Sequence, residues 1–188
     1  MKRLIVFLLF FNILNACSQQ KNTSDTDNTI DSTVSIDIDK PSPGRLYDKA
    51  YRAYTEGYYS EAVALCTTII ELDVNYTAAY FLRGKCHREL RNYGASIENY
   101  NEVLIRNPED VSAYVNRGGG YLNIGNYPAA IEDYNQAIKR NPNSRLAYYN
   151  RAVVYEKLGE MDKACTDWKK AAELGDEDAA AEVEKNCK

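Results

Sequence analysis

Histidine is almost missing: His87 is the only one in 188 residues. A single imidazole leaves Ser-His-Asp, Cys-His and multi-histidine metal sites short of parts, and a mid-helix position makes His87 a surface or packing residue. The five cysteines show no C-x-x-C spacing. No Lys/Arg run supplies the basic stripe that phosphate neutralisation needs. With 23 basic against 27 acidic side chains, the net charge of −4 argues against nucleic acid as a partner. Gly118-Gly119-Gly120 has no strand before it and no Lys-Ser/Thr after it, so it is no phosphate loop. Gly118 is a packing glycine. The other two cost about 1 kcal/mol each in helix propensity, and either soften the helix or let a partner approach. Carboxylates at helical spacing read as a solvated face. These absences exclude a recognisable catalytic set, so the expectation is a non-enzyme that needs no cofactor and no metal.

What is present is a period. Tyr80, Tyr114 and Tyr148 stand 34 residues apart, as do Gly84, Gly118 and Ala152, then Ser96, Ala130 and Ala164, then Tyr100, Tyr134 and Trp168. Pro108 and Pro142 close two of the periods. Leu46, Ala50, Gly57, Tyr59 and Ala62 fit one step earlier, more loosely. A fixed period of this length marks a stacked repeat. Within it, Tyr114, Gly118 and Tyr121 share one helix face, and Ile131, Tyr134, Ala137 and Ile138 share another. Asn-Pro at 107–108 and 141–142 ends each second helix, because proline cannot continue it.

These positions together resemble the tetratricopeptide repeat, a helix-turn-helix unit of 34 residues. The resemblance covers residues 43–176 and implies an all-α solenoid of four units: 43–76, 77–110, 111–144 and 145–175. A polar capping helix over 176–188 follows, where Gly175 suits a helix stop and a polar outer face closes the array. The resemblance also implies a concave wall built by the first helix of each unit. The inward positions carry over to Tyr47, Tyr51 and Tyr54, to Phe81, Lys85 and Arg88, to Val115, Asn116, Gly119 and Asn123, and to Tyr149, Asn150 and Val153. Aromatic area with Asn, Lys and Arg suits a peptide or protein partner. Tyr47 and Tyr51 occupy the places of the first Lys and Asn of the family's carboxylate clamp, which speaks against capture of a C-terminal carboxylate.

The start of the chain reads as an export signal. Met1-Lys2-Arg3 precedes an apolar run from Leu4 to Leu14, about 16 Å of helix and too short for a comfortable span. Leu14-Asn15-Ala16-Cys17 resembles the bacterial lipobox, with Asn15 in place of the usual small residue. It implies a lipoprotein signal over 1–16, lipidation of Cys17, and, with Ser18 following, an outer-membrane destination in the cell envelope. The lipid would be the membrane contact, and two or more acyl chains suffice for stable anchoring. Residues 17–42 are polar, hold little to bury, and read as a disordered tether reaching about 25–30 Å. Asp31-Ser32-Thr33 resembles a bacterial O-glycosylation acceptor.

Two cysteine pairs stand out under this reading. In an exported protein, Cys165 in the last second helix and Cys187 at the end of the cap are expected to form a disulfide. Cys66 and Cys86 either meet or serve as small buried fillers, with fillers favoured. The functional expectation is a scaffold or adaptor at the bacterial envelope. Its alternatives are an assembly factor for secreted or outer-membrane proteins, or a non-catalytic accessory subunit of an envelope enzyme.

Overall fold

The computed structural model describes residues 41–188. The expected signal sequence, lipidated Cys17, glycosylation acceptor and nearly all of the tether lie outside the described residues. Of the tether, Ser42 is described, and it caps the first helix by accepting from the Arg45 N–H, with Pro43 at the first helical position.

Among the described residues there are nine helices and no strand. They are α1 (Pro43–Thr55), α2 (Tyr59–Leu72), α3 (Thr77–Glu89), α4 (Tyr93–Arg106), α5 (Val111–Asn123), α6 (Tyr127–Arg140), α7 (Arg145–Lys157), α8 (Met161–Glu173) and α9 (Glu177–Asn186). Each helix packs on the next, α1 on α2 through α8 on α9. The first helices of successive units also touch: α1 meets α3, α3 meets α5, and α5 meets α7. No second helix touches the next second helix to a comparable degree. The array is therefore tighter along its first helices, which places the inner wall there.

Turn chemistry recurs with the period. After each first helix the chain reverses through a left-handed residue: Gly57 (φ 85°), Gly125 (φ 77°) and Gly159 (φ 75°). The next N–H then reaches back along the helix, as Tyr58 does to the Ala53 carbonyl and Asn126 to Tyr121. In unit two the same place holds Arg91 at φ 59°, a conformation that side chains with a Cβ resist. After the second helices of units one to three an Asx side chain turns the chain. Asp73 accepts from the Asn75 N–H at 2.9 Å, Asn107 from Glu109 at 3.3 Å and Asn141 from Asn143 at 3.0 Å.

The core pairs a small residue on the first helix with a large ring on the second. A Cβ at Gly118 would sit 2.7 Å from the Tyr134 ring, and one at Gly84 would sit 3.0 Å from the Tyr100 ring. Both tyrosines are fully buried, and Trp168 takes the same place beside Ala152 in unit four. Gly120 corrects the expectation of a softened or partner-facing glycine. It is buried between units, and a Cβ there would meet the Ile97 Cγ1 at 2.8 Å. Of the triplet, only Gly119 has room for a side chain, since a Cβ there would sit 4.0 Å from the Tyr134 hydroxyl.

A ladder of arginines ties the units together. Arg83, Arg117 and Arg151, again 34 apart, give Nε to Asn99 (2.8 Å), Asp133 (2.9 Å) and Asp167 (2.7 Å) in their own units. Each gives Nη1 to the preceding unit: Thr67 (3.1 Å), Asn101 (2.7 Å) and Asn135. Asp133 and Asp167 are buried, so these two carboxylates depart from the expected solvated face. The ladder stops at both ends. Unit one has Lys49 and Leu65 at the corresponding positions, and Lys169 stands where the next acceptor would be. Unit one also has Arg45 where the later units have the buried small residues Ala79, Ala113 and Ala147.

At the other end α9 docks on α8, with Ala179 fully buried and Asp176 capping the helix through the Ala179 N–H. Cys165 and Cys187 are joined in a disulfide with their Cα atoms 5.5 Å apart. Cys66 and Cys86 are both buried and free. Burial, the largest influence on each, pushes their thiols up to about 12 and about 11. They are small core fillers rather than reactive thiols.

Candidate partner-binding groove

The inner wall begins as a run of tyrosines. On α1, the positions i, i+4 and i+7 bring Tyr47, Tyr51 and Tyr54 to one face. Their ring centroids follow one another at 6.5 Å and 6.4 Å. Tyr47 and Tyr54 are half-buried, held by Tyr76 at 5.6 Å and Tyr59 at 5.8 Å. Burial, helped by Cys66, Tyr76 and Tyr51, raises the Tyr47 phenol above its ordinary value, so it stays a neutral hydrogen-bonding group. Tyr51 is different: 51% of it is exposed. Beside it Asp48, Arg52 and Thr55 help line a cavity of about 480 Å³. A ring open on one face, with a carboxylate and a guanidinium alongside, offers contact area and polar anchors together.

The next positions are partly engaged within the chain. Lys85 places its ammonium 4.4 Å from the Tyr54 ring centre, a cation–π contact that covers that ring. Arg88 gives Nη1 to the Asn116 oxygen at 2.9 Å and pairs with Glu89 at 2.8 Å. Phe81 meets Tyr100 edge-on at 5.4 Å and is half-buried. Asn116 gives its amide N–H to the Ser112 carbonyl, and Asn123 gives its own to Gly119. Val115 packs against the core of unit three. In unit four Tyr149 is half-buried on the α8–α9 cluster, where burial, then Asp178 and Glu182, raises its phenol. Asn150 and Val153 are half-buried nearby in sequence.

The wall is thus graded. Tyr51, Asp48 and Arg52 offer the open surface, whereas Tyr54, Phe81, Lys85 and Arg88 are braced by neighbours. Sequence reasoning names the tyrosines but misses Asp48, Arg52 and Thr55, because each stands one residue beyond an inward position. It also missed the arginine ladder, whose signal was present as one more set of residues 34 apart.

Comparison with known proteins agrees with this architecture. Family profiles described as tetratricopeptide repeat match residues 47–111 and 145–178, and one described as TPR repeat matches residues 120–159. Mouse (Mus musculus) tetratricopeptide repeat protein 12 is 35% identical over 65 residues, which is 34% of this chain and 9% of that protein. The chain therefore spans only a small part of that relative's length. Among solved structures, MamA from Desulfovibrio magneticus RS-1 superposes with a TM-score of 0.68 at 20% identity, over 71% of this chain and 75% of that one. A thermophilic TPR protein from Thermus thermophilus gives 0.64 at 21% identity, over 71% and 75%. The first TPR domain of Spaghetti (RPAP3), bound to an HSP90 peptide, gives 0.61 at 19% identity, over 63% and 94%. At these identities the likeness concerns the fold. Periodic sequence, paired helices and matching profiles converge, and the chain belongs to the tetratricopeptide-repeat family.

Proposed function

We propose that this protein is a binding scaffold or adaptor of the bacterial cell envelope, held there by a lipid on Cys17 and engaging a protein or peptide partner along its inner wall. The observation that carries the reading is Tyr51, a large aromatic ring half open to solvent that lines an open surface depression of about 480 Å³ along α1. Interfaces draw most of their affinity from a few such anchors, and Tyr and Arg are prominent among them. The peptide-bound RPAP3 domain supports the reading by fold likeness. The export signal and the Cys17 motif support the envelope.

The test has two arms. Partners are crosslinked in native envelopes with the full chain and with Tyr51→Ala, which removes surface area without opening the core. Loss of one dominant partner from the variant supports the wall as the working surface, and the same partners at the same yield would exclude it. Metabolic labelling with a fatty-acid analogue, with Cys17→Ser beside the native chain, tests the anchor separately. Equal labelling of both would remove the lipid from the account.

A further inference from the structure

The three rungs of the arginine ladder are not equal. Arg117 and Arg151 each hold an aspartate by two bonds, Nε to one carboxylate oxygen and Nη2 to the other, with Nη2 distances of 2.6 Å and 2.7 Å. Arg83 faces Asn99 instead and gives it one bond, through Nε at 2.8 Å. The Asn99 amide nitrogen is turned away to the Ala95 carbonyl. Among the described residues, Arg83 is therefore the rung whose Nη2 has no carboxylate oxygen.

A second arginine in the same place is also incomplete. Arg106 and Arg83 lie on the Tyr80 ring, 4.4 Å and 5.6 Å from its centre. In unit three Arg140 stands over Tyr114 in the same way at 4.5 Å and gives Nε to the Pro108 carbonyl at 2.9 Å. Arg106 sends Nη1 to Glu102 and Nη2 to the Val74 carbonyl, and its Nε is buried with no partner among the described residues. Both arginines and Asn99 line one cavity of about 480 Å³, with Glu98 and Glu102 at its wall. On α3, Arg83 is two positions from Phe81 and Lys85, about 200° around the helix, so the cavity is on the flank and not on the inner wall.

We propose that this flank cavity is a carboxylate-binding site, in which an external carboxylate accepts from Arg83 Nη2, the donor that Asp133 and Asp167 engage on Arg117 and Arg151, beside the Arg106 guanidinium. Nη2 to carboxylate is a bond the other two rungs already make, and its charge assistance makes it a strong one for an external carboxylate. Its source is an acidic side chain of a partner or a small carboxylic acid. The site stands apart from the tyrosine wall and does not depend on it.

The repeat supplies its own control. Asn99→Asp places in unit two the carboxylate that units three and four carry, so it fills the site from within while keeping a residue the fold accepts. In ¹⁵N NMR spectra, the arginine Nε–H signals of the native chain are followed during titration with sodium acetate and with a blocked Gly-Glu-Gly peptide, against sodium chloride at equal ionic strength. The Arg83 and Arg106 signals should move saturably with either carboxylate and not with chloride, and Asn99→Asp should weaken that response at least tenfold. Tighter binding of the peptide assigns the site to a protein partner, and binding of acetate at least as tight assigns it to a small acid. Responses that match chloride, or that Asn99→Asp leaves unchanged, would overturn the proposal.

Discussion

Arg91 shows how a single residue records the repeat by departing from it. Its counterparts Gly57, Gly125 and Gly159 take a left-handed turn without steric conflict, while Arg91 adopts it with a Cβ. Left-handed backbone costs a chiral residue about 1–2 kcal/mol, partly offset by glycine's greater freedom in the unfolded chain. Arg91→Gly should therefore raise stability by about 1 kcal/mol, measured by urea denaturation. A loss of stability would mean that the Arg91 side chain makes a contribution its exposed position does not suggest.

His87 carries the chain's one residue-scale pH response from an imidazole. Burial, then Arg83, lowers its pKa below the ordinary histidine value of about 6.5, with Glu98 opposing. The folded state then binds fewer protons than the unfolded one, so this contribution is present at neutral pH and is lost as pH falls below about 6.5. Tyr121 and Tyr155 occupy the same place in units three and four. His87→Tyr should flatten the decline in melting temperature between about pH 6.5 and 5, and an equally steep decline would assign it to other groups.

At the scale of the element, the helices are held by pairing that the sequence signals unevenly. The small-residue and large-ring pairs are readable from the period, because Gly118 and Tyr134 each recur with their kind. Gly120 was not readable as a packing residue, since its counterparts are Cys86 and Val154. The contact that demands glycine, Ile97, comes from another unit. The ladder was equally hidden: Asp133 and Asp167 look like any solvated carboxylate until Arg117 and Arg151 fold over them. Burial pushes the Asp133 carboxyl up against the pull of Arg117, so the pair matters most when one member is removed. Arg117→Met should destabilise by about 3–5 kcal/mol by leaving a buried charge without its partner. Asp133→Asn imitates unit two, where Asn99 serves, and should change stability by under about 1 kcal/mol. Equal losses from the two variants would refute the asymmetry.

The cap is an element with its own fastening. The Cys165–Cys187 disulfide spans 22 residues, and closing a loop of that length restricts the unfolded chain by about 3 kcal/mol. In Cys187→Ser, amide exchange in α9 should accelerate well before that of α3 to α6, because among the described helices α9 ends the array and packs chiefly on α8. Uniform acceleration along the array would instead make the cap part of a single cooperative unit.

For the molecule as a whole, architecture was far more legible than use. A 34-residue period admits few structures, so helix number, pairing and inner wall follow from it. The partner surface depends on which inward residues are already engaged, and that is decided by neighbours a unit away. Lys85 covers Tyr54, Phe81 leans on Tyr100, and Arg88 is tied to Asn116 and Glu89. Along the wall, the exposed end around Tyr51, with Asp48 and Arg52, is where aromatic area and open polar groups combine.

The most direct measurement is site-specific photocrosslinking in living cells, with a photoreactive residue at position 51 and, separately, at position 105. Ile105 is 71% exposed on α4 and belongs to no first helix, so it reports on a surface with no assigned role. The account predicts a discrete protein adduct from position 51 and none from position 105. A discrete adduct from position 105 with none from position 51 would contradict it and move the working surface off the inner wall.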